Sequence, residues 1–384
     1  MMRIDATGLR ATVQDRGRFD HLREGVPPSG PADPFAFAAA QALVGNDAGA
    51  AAIEIVGGPF AFSCDGPRIV AATGRDVALR GRNVVPGWTA AFARPGETFT
   101  VVCGERSRFA YLAVSGGIAT ETILGSRSAY LPAGIGRLWH SGEALPLGRA
   151  RVDAERAGLS TVSPDYDTGQ IRAITGPHAQ RFTDEADSLF FSSEFRVEPA
   201  SDRMGSRLSG PRIAAREGEI LTCGVIAGAV QIPAGGAPIV LLAEHQATGG
   251  YPVIATVITA DLGLVAQRLP GERLRFVRVD RGLASDQTAE GHDRVETSGA
   301  RQHRDGRGQL EGAGYLELLD LCICRQRRLD RTLGERARDL VVPARAQDGH
   351  ARTAMRILNP GRSLPRGRHL PQSSPQMQHR LVSA

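Results

Sequence analysis

The sequence predicts a mainly β protein with a few helices (α+β), arranged as two β-rich lobes, and three observations carry this. Short apolar, β-branched runs recur through the first 283 residues. Turn signals such as Gly57-Gly58-Pro59, Asp65-Gly66-Pro67 and Pro95-Gly96 separate them at about ten-residue intervals, the rhythm of a barrel or sandwich. A polar link between about Leu147 and Thr168 then divides the strands into two groups. The expected units are 1–148, 169–283 and a tail, 284–384, in which strand patterning stops. The 46 glycines and 42% hydrophobic content of the 384-residue chain fit a turn-rich, strand-rich protein.

In chain order, residues 1–30 alternate short extended pieces with loops, and GVPPSG is an irregular connection. A helix follows. Asp33 is a good N-cap, Pro34 suits the first helical position, FAFAAAQALV supplies strong helix formers, and Gly45-Asn46 ends the helix. Ser29, Gly30 and Asp33 therefore lie at a helix N-terminus, where backbone N–H groups favour an anion. Asp33 is explained by capping alone, whereas Ser29 is less needed by the fold. AAIEIVG, FAFSC, RIVAATG, TFTVV and FAYLAVSG read as strands. Glu54, an acid inside one of them, either faces solvent on an edge or points into a site. In the second group, IRAITG reads as a strand and HAQRFTDEADSLFF as a helix. A charged loop, Ser201-Asp202-Arg203-Met204-Gly205, then separates extended pieces. Arg203 can grip a carboxylate or phosphate with two N–H groups; the plainer reading is a surface ion pair with Asp202 or Glu198.

The centre of the second group is PIVLLAEHQATGGYPVIATVITADL. Ile239–Leu242 and Val253–Ile258 read as buried strands, and between them lies a polar stretch, Glu244 to Pro252. A hairpin needs only two turn residues, so this connection is richer than a turn requires. Gly249 and Gly250 permit positive φ and close approach of a ligand, and Tyr251-Pro252 extends the chain into the next strand. The plainer reading is a long hairpin loop whose polar groups cap their own backbone.

Several chemistries are excluded. The chain contains no lysine, so all 46 residues of the Lys+Arg count are arginine. A Walker A loop, a lysine Schiff base and a biotinylated lysine are therefore impossible on it. No nucleophile elbow, H-E-x-x-H or paired C-x-x-C occurs. No run of about 18 apolar residues exists, and the N-terminus has no apolar signal core, so neither a membrane span nor export is expected. Five sparse cysteines suit a reducing cytoplasm. Residues 285–384 hold 17 arginines against 12 acids, an excess equal to the formal net charge of +5. The body is thus neutral, and a nucleic-acid surface is not expected. The tail reads as a disordered, solvated segment in which Gly314–Leu340 can form an amphipathic helix, and its abrupt composition suggests a translated shift of reading frame. Cys322 and Cys324 lack a second ligand pair at zinc spacing.

Three stretches together, TVQDRGRFDHLREGVPPSGPADPFAFAAAQALVGN, SDRMGSRLSG and LLAEHQATGGYPVIATVITADL, resemble the KipA family, also known as the C subunit of 5-oxoprolinase. That family is homologous to half of the carboxyltransferase domain of urea carboxylase and is allophanate hydrolase subunit 2-like. The likeness runs from about residue 4 to 283; Ala32, Glu244 and Ala247 depart from the family's habit, and the tail matches nothing in it. The resemblance implies a cyclophilin-like β-barrel fold. It also implies two partners, a KipI-like B subunit and a LamB/YcsF-like A subunit, and joint ATP-dependent cleavage of 5-oxoproline to glutamate. ATP and Mg2+ would be co-substrates of the complex, with no covalent cofactor on this chain and no metal site assigned to it. ATP would activate the lactam carbonyl as a phosphorylated imidate. On this chain Glu244, Gln246, Arg203 and Asp33 are the catalytic candidates. Ser29, Gly30, Thr248, Gly249, Gly250 and Tyr251 are the candidates for holding substrate or phosphate. Glu244 or Asp33 would bind magnesium or move a proton, and His245 is a possible base. Two other functions fit the family: a carboxyltransferase acting on urea or a related amide with a separate biotinylated carrier, and a regulator that binds a KipI-like protein without catalysis.

Overall fold

The computed structural model describes residues 1–150, 152–216 and 219–280. The expectations for the arginine-rich tail and its cysteines lie outside them. The strand-rich prediction holds. The first twelve elements are β1 (Met2–Ala6), β2 (Arg10–Gln14), α1 (Pro34–Val44), β3 (Ala52–Val56), β4 (Phe60–Cys64), β5 (Arg68–Gly74), β6 (Val77–Arg80), β7 (Val84–Pro86), β8 (Ala90–Ala93), β9 (Thr98–Cys103), β10 (Ala110–Val114) and β11 (Ala144–Leu145). They form a six-stranded sheet, β11-β1-β4-β9-β6-β7, and a five-stranded one, β2-β3-β10-β5-β8. β5 and β10 are buried on both faces, so they read in sequence as unbroken apolar runs. On β10, Leu112 and Val114 join the core between the two sheets, whereas Tyr111 and Ala113 face the core that holds α1.

α1 begins and ends as its sequence dictates. The Asp33 side chain accepts a hydrogen bond from Ala36 N–H, and Gly45 closes the helix with φ 74°. It is buried on nearly every side, Gln41 included. Its alanines let it lie close to the strands behind it, and its core continues without a break into that of the second lobe.

The second lobe comprises β12 (Gln170–Thr175), α2 (Asp184–Ser192), β13 (Phe195–Val197), β14 (Gly205–Ser209), β15 (Cys223–Gly224), β16 (Ala229–Gln231), β17 (Ile239–Leu241), β18 (Thr248–Gly249), β19 (Val253–Val257), α3 (Leu262–Ala266) and β20 (Arg273–Arg278). Seven of these strands close into a barrel in the order β12-β19-β16-β17-β14-β13-β20, with β12 and β20 pairing in parallel. Closure leaves no free edge. Phe190 of α2 stacks on Phe276 with ring centroids 4.6 Å apart, plugging the barrel core.

Two local expectations are corrected. β17 and β19 are not hairpin partners, because β16 lies between them. The polar stretch that joins them carries a short strand of its own, β18, which pairs with β15 to form a two-stranded flap. α2 starts later than HAQRF, where Thr183 caps Ala186 N–H at 3.2 Å. Among the described residues, no helix is long and apolar enough to cross a membrane.

Candidate functional site

Four of the predicted residues, Arg203, Glu244, Gly30 and Asp33, meet where the two lobes face each other and serve to join them. Arg203, in the β13–β14 loop, is only 3% exposed. Its Nε donates to Glu244 Oε1 at 2.6 Å, its Nη1 to Glu54 Oε1 at 2.5 Å, and its Nη2 to the Gly30 carbonyl at 2.6 Å. The pairing with Asp202 or Glu198 is therefore replaced by a buried pairing with Glu54 and Glu244. Of the two readings of Glu54, the inward one holds. Its second oxygen accepts from Ala32 N–H and from the Tyr111 hydroxyl, both at 3.0 Å. Burial alone would pull the Arg203 guanidinium down, but Glu54 and Glu244 outweigh it and hold the group charged.

The network continues into the N-terminus of α1. Tyr111 Oη accepts from Asp33 N–H at 2.8 Å. Asp33 Oδ2 accepts from the Tyr166 hydroxyl at 2.7 Å and from Gln267 Nε2 at 3.0 Å. Burial raises the Asp33 carboxyl above its ordinary value, against the pull of those two bonds and of the Ala36 and Phe35 N–H groups. A Cβ on Gly263 would lie 2.3 Å from Asp33 Oδ1, so α3 fits there only because that residue is glycine. Asp33 thus spends both of its oxygens on protein donors, and Glu244 gives Oε1 to Arg203. The magnesium role considered for Asp33 does not fit this geometry, and among the described residues no group of three His, Cys, Asp or Glu side chains could hold a metal ion. Arg203 is likewise committed to the lobes and is not a free clamp for phosphate.

Beside this seam lies the loop that precedes the flap. Gln246 donates from Nε2 to Gln231 Oε1 at 3.1 Å, so β16 orients its amide. His245 is buried, and its Nδ1–H donates to the Gln246 carbonyl at 2.7 Å, because a carbonyl can only accept. Burial holds the imidazole below its usual value, so at neutral pH its Nε2 carries a lone pair. Gly249 and Gly250 do not adopt positive φ. Gly249 lies close to the Gln231 amide, and a Cβ there would come within 2.5 Å of Gln231 Nε2 and displace that side chain. Thr248 and Tyr251 lie on the exposed side of the flap, near Leu221 and Ile226, which are exposed as well.

Across the seam, Ser29 has φ 56° and Gly30 has φ 82°. A serine in the left-handed region is strained, and its buried hydroxyl has no partner. Sequence reasoning missed Tyr111, Tyr166, Gln231 and Gln267, each a single polar residue in an apolar or loop context. It also passed over Arg18, for which spacing offers no signal.

Fold and site together define a two-lobed β protein, a barrel joined to a sandwich by a buried ionic seam, with polar loops from both lobes at its rim. The family model of the carboxyltransferase domain, subdomains A and B, matches residues 24–278, and the chain belongs to that family. It is 35% identical over 285 residues to the C subunit of 5-oxoprolinase from Escherichia coli strain K12, covering 72% of this chain and 91% of that protein. It is 33% identical to the Haemophilus influenzae protein of the same name, over 70% of this chain and 88% of that one. Kluyveromyces lactis urea carboxylase is similar in structure, with a TM-score of 0.67 at 27% identity over 76% of this chain, which spans 28% of that much longer one.

Proposed function

We propose that this chain is the C subunit of an ATP-dependent 5-oxoprolinase, and that it binds the lactam at the seam between sandwich and barrel. The observation that carries this reading is the 35% identity to the E. coli C subunit of 5-oxoprolinase over 91% of that protein's length. The geometry of the site is compatible with it. A lactam presents one carbonyl acceptor and one N–H donor, and Gln246, held by Gln231, supplies an amide that matches both. His245, neutral with a bare Nε2, is the group on this chain suited to take a proton from an attacking water. ATP supplies the phosphoryl group that makes the lactam carbonyl carbon open to that attack. ATP and Mg2+ enter as co-substrates of the whole complex, which this chain forms with the KipI-like and LamB/YcsF-like partners. The exposed Leu221, Ile226 and Tyr251 around the flap offer a partner an apolar surface next to the site. The complex is expected to work in the cytoplasm.

A second reading is supported by the family itself and by the likeness to urea carboxylase: transfer of a carboxyl group to an amide. It would need a separate biotinylated carrier. The two readings are tested by ATP-dependent glutamate formation from 5-oxoproline, using this chain with its cognate KipI-like and LamB/YcsF-like partners and omitting each component in turn. Activity that requires this chain and falls with Gln246→Ala supports the oxoprolinase. A stable complex that forms no glutamate, yet carboxylates an amide when given a biotinylated carrier, replaces it with the carboxyltransferase.

A further inference from the structure

Eleven buried side-chain nitrogens and oxygens among the described residues have no hydrogen-bond partner, and four of them, Gln14 Oε1, Arg18 Nε, Arg18 Nη1 and Ser29 Oγ, come from the end of β2 and the two adjoining loops that follow it. Arg68, Arg75 and Arg268 each leave only Nε bare, whereas Arg18 leaves two nitrogens. Arg18 is 2% exposed, and no carboxylate lies within ion-pairing distance of it among the described residues. Its one side-chain bond runs from Nη2 to the Ser128 carbonyl. Asp15, the nearest acid in sequence, is already engaged by the hydroxyls of Ser126 and Ser128 and by the N–H groups of Gly17 and Arg127. A buried guanidinium left in this condition is costly, and burial lowers its pKa despite the fields of Asp15 and Glu244.

The place is built into the site. Arg18 N–H donates to the Pro28 carbonyl at 2.8 Å, which ties it to the loop carrying Ser29. The next residue, Gly30, is held by Arg203, which also holds Glu244, two positions before Gln246. A guanidinium has two edges that can each grip two oxygens, and both include Nη2. One carbonyl occupies only one Nη2 proton, so one complete edge remains, formed by Nη2 with either Nε or Nη1. A planar carboxylate fits such an edge.

We propose that Arg18, assisted by the Ser29 hydroxyl, is the residue that receives the carboxylate of the small-molecule substrate, the role that Arg203 is too committed to fill. The inference rests on the reading of the seam as a site for a carboxylate-bearing lactam.

The test compares 5-oxoproline with 2-pyrrolidinone, the same lactam without the carboxylate, by titration calorimetry on the assembled complex. Wild type is expected to bind 5-oxoproline at least ~30-fold more tightly, the range of a two-pronged charged contact. Arg18→Met should bind the two ligands equally, Arg18→Lys should keep part of the preference, and Ser29→Ala should lose a few-fold. Ser29→Ala removes only an unpartnered atom, so it serves where Arg18→Met fails to assemble. An Arg18→Met complex that keeps the full preference overturns the proposal, as does a wild-type complex that shows none. Loss of preference in Arg18→Met, with no glutamate formed by the wild-type complex, would sink the oxoprolinase reading and leave this one standing. Glutamate formation by wild type with the preference intact in Arg18→Met would do the reverse.

Discussion

Arg203 and Arg18 are buried to nearly the same degree, 3% and 2% exposed, and their surroundings are opposite. Around Arg203 every charged neighbour is matched: Glu54, Glu244, Tyr111, Asp33, Tyr166 and Gln267 form one chain of bonds from barrel to sandwich. Around Arg18 the bonds run out, leaving two of its nitrogens and the Ser29 hydroxyl unused. Burial therefore does not separate structural from functional charge in this molecule; satisfaction does. A saturated network holds two lobes at a fixed angle, and an unsaturated one beside it retains capacity for a ligand.

The largest effect that would sharpen this contrast is expected from Glu54→Leu. It removes one of the two carboxylates on Arg203 and strands Ala32 N–H and the Tyr111 hydroxyl. We expect a loss of about 3–5 kcal/mol in denaturant unfolding, the range for breaking a buried ion pair. A loss under about 1 kcal/mol would mean that the seam does not hold the lobes. Gly263→Ala presses on the same network from α3 and should cost about 1–3 kcal/mol, because its Cβ would meet an Asp33 carboxylate rather than a flexible side-chain end. Unchanged stability would show slack at that contact.

On the unsaturated side, Gln231→Ala should leave stability within about 1 kcal/mol while cutting kcat/KM for 5-oxoproline about 10-fold, since it releases Gln246. Equal damage to stability would class Gln231 with the seam. The smallest effect concerns pH. Asp33 is raised above its ordinary ~3.9, so the folded state holds that proton more tightly than the unfolded chain. Stability should then fall as pH rises from about 4 through the raised value, by at most about 1.4 kcal/mol per unit, and Asp33→Asn should flatten the slope. A mutant with the wild-type slope would assign the effect to another group.

The contrast also marks what the sequence could reveal. α1 was legible because its cap, its proline and its terminal glycine are local signals. Glu54 stood out as an acid in an apolar strand, and the loops at Arg203 and Glu244 stood out as polar clusters at strand ends. The interposition of β16 between β17 and β19 was not legible, since pairing order leaves no mark on local periodicity. β6, β7 and β8 were missed because four or fewer residues carry too little alternation. Arg203 looked like a clamp because its partners, Glu54 and Gly30, lie 149 and 173 residues away. Arg18 escaped notice for the converse reason: lacking partners is a property of the fold, not of a motif.

The central claim is tested most directly by unfolding Arg203→Met and Arg18→Met in denaturant side by side with wild type. Arg203→Met leaves Glu54 and Glu244 buried and unpaired and should lose about 3–5 kcal/mol, whereas Arg18→Met removes a charge with no ion-pair partner and should stay within about 1 kcal/mol of wild type. Equal losses in the two variants would contradict the account, because Arg18 would then be as much a part of the framework as Arg203.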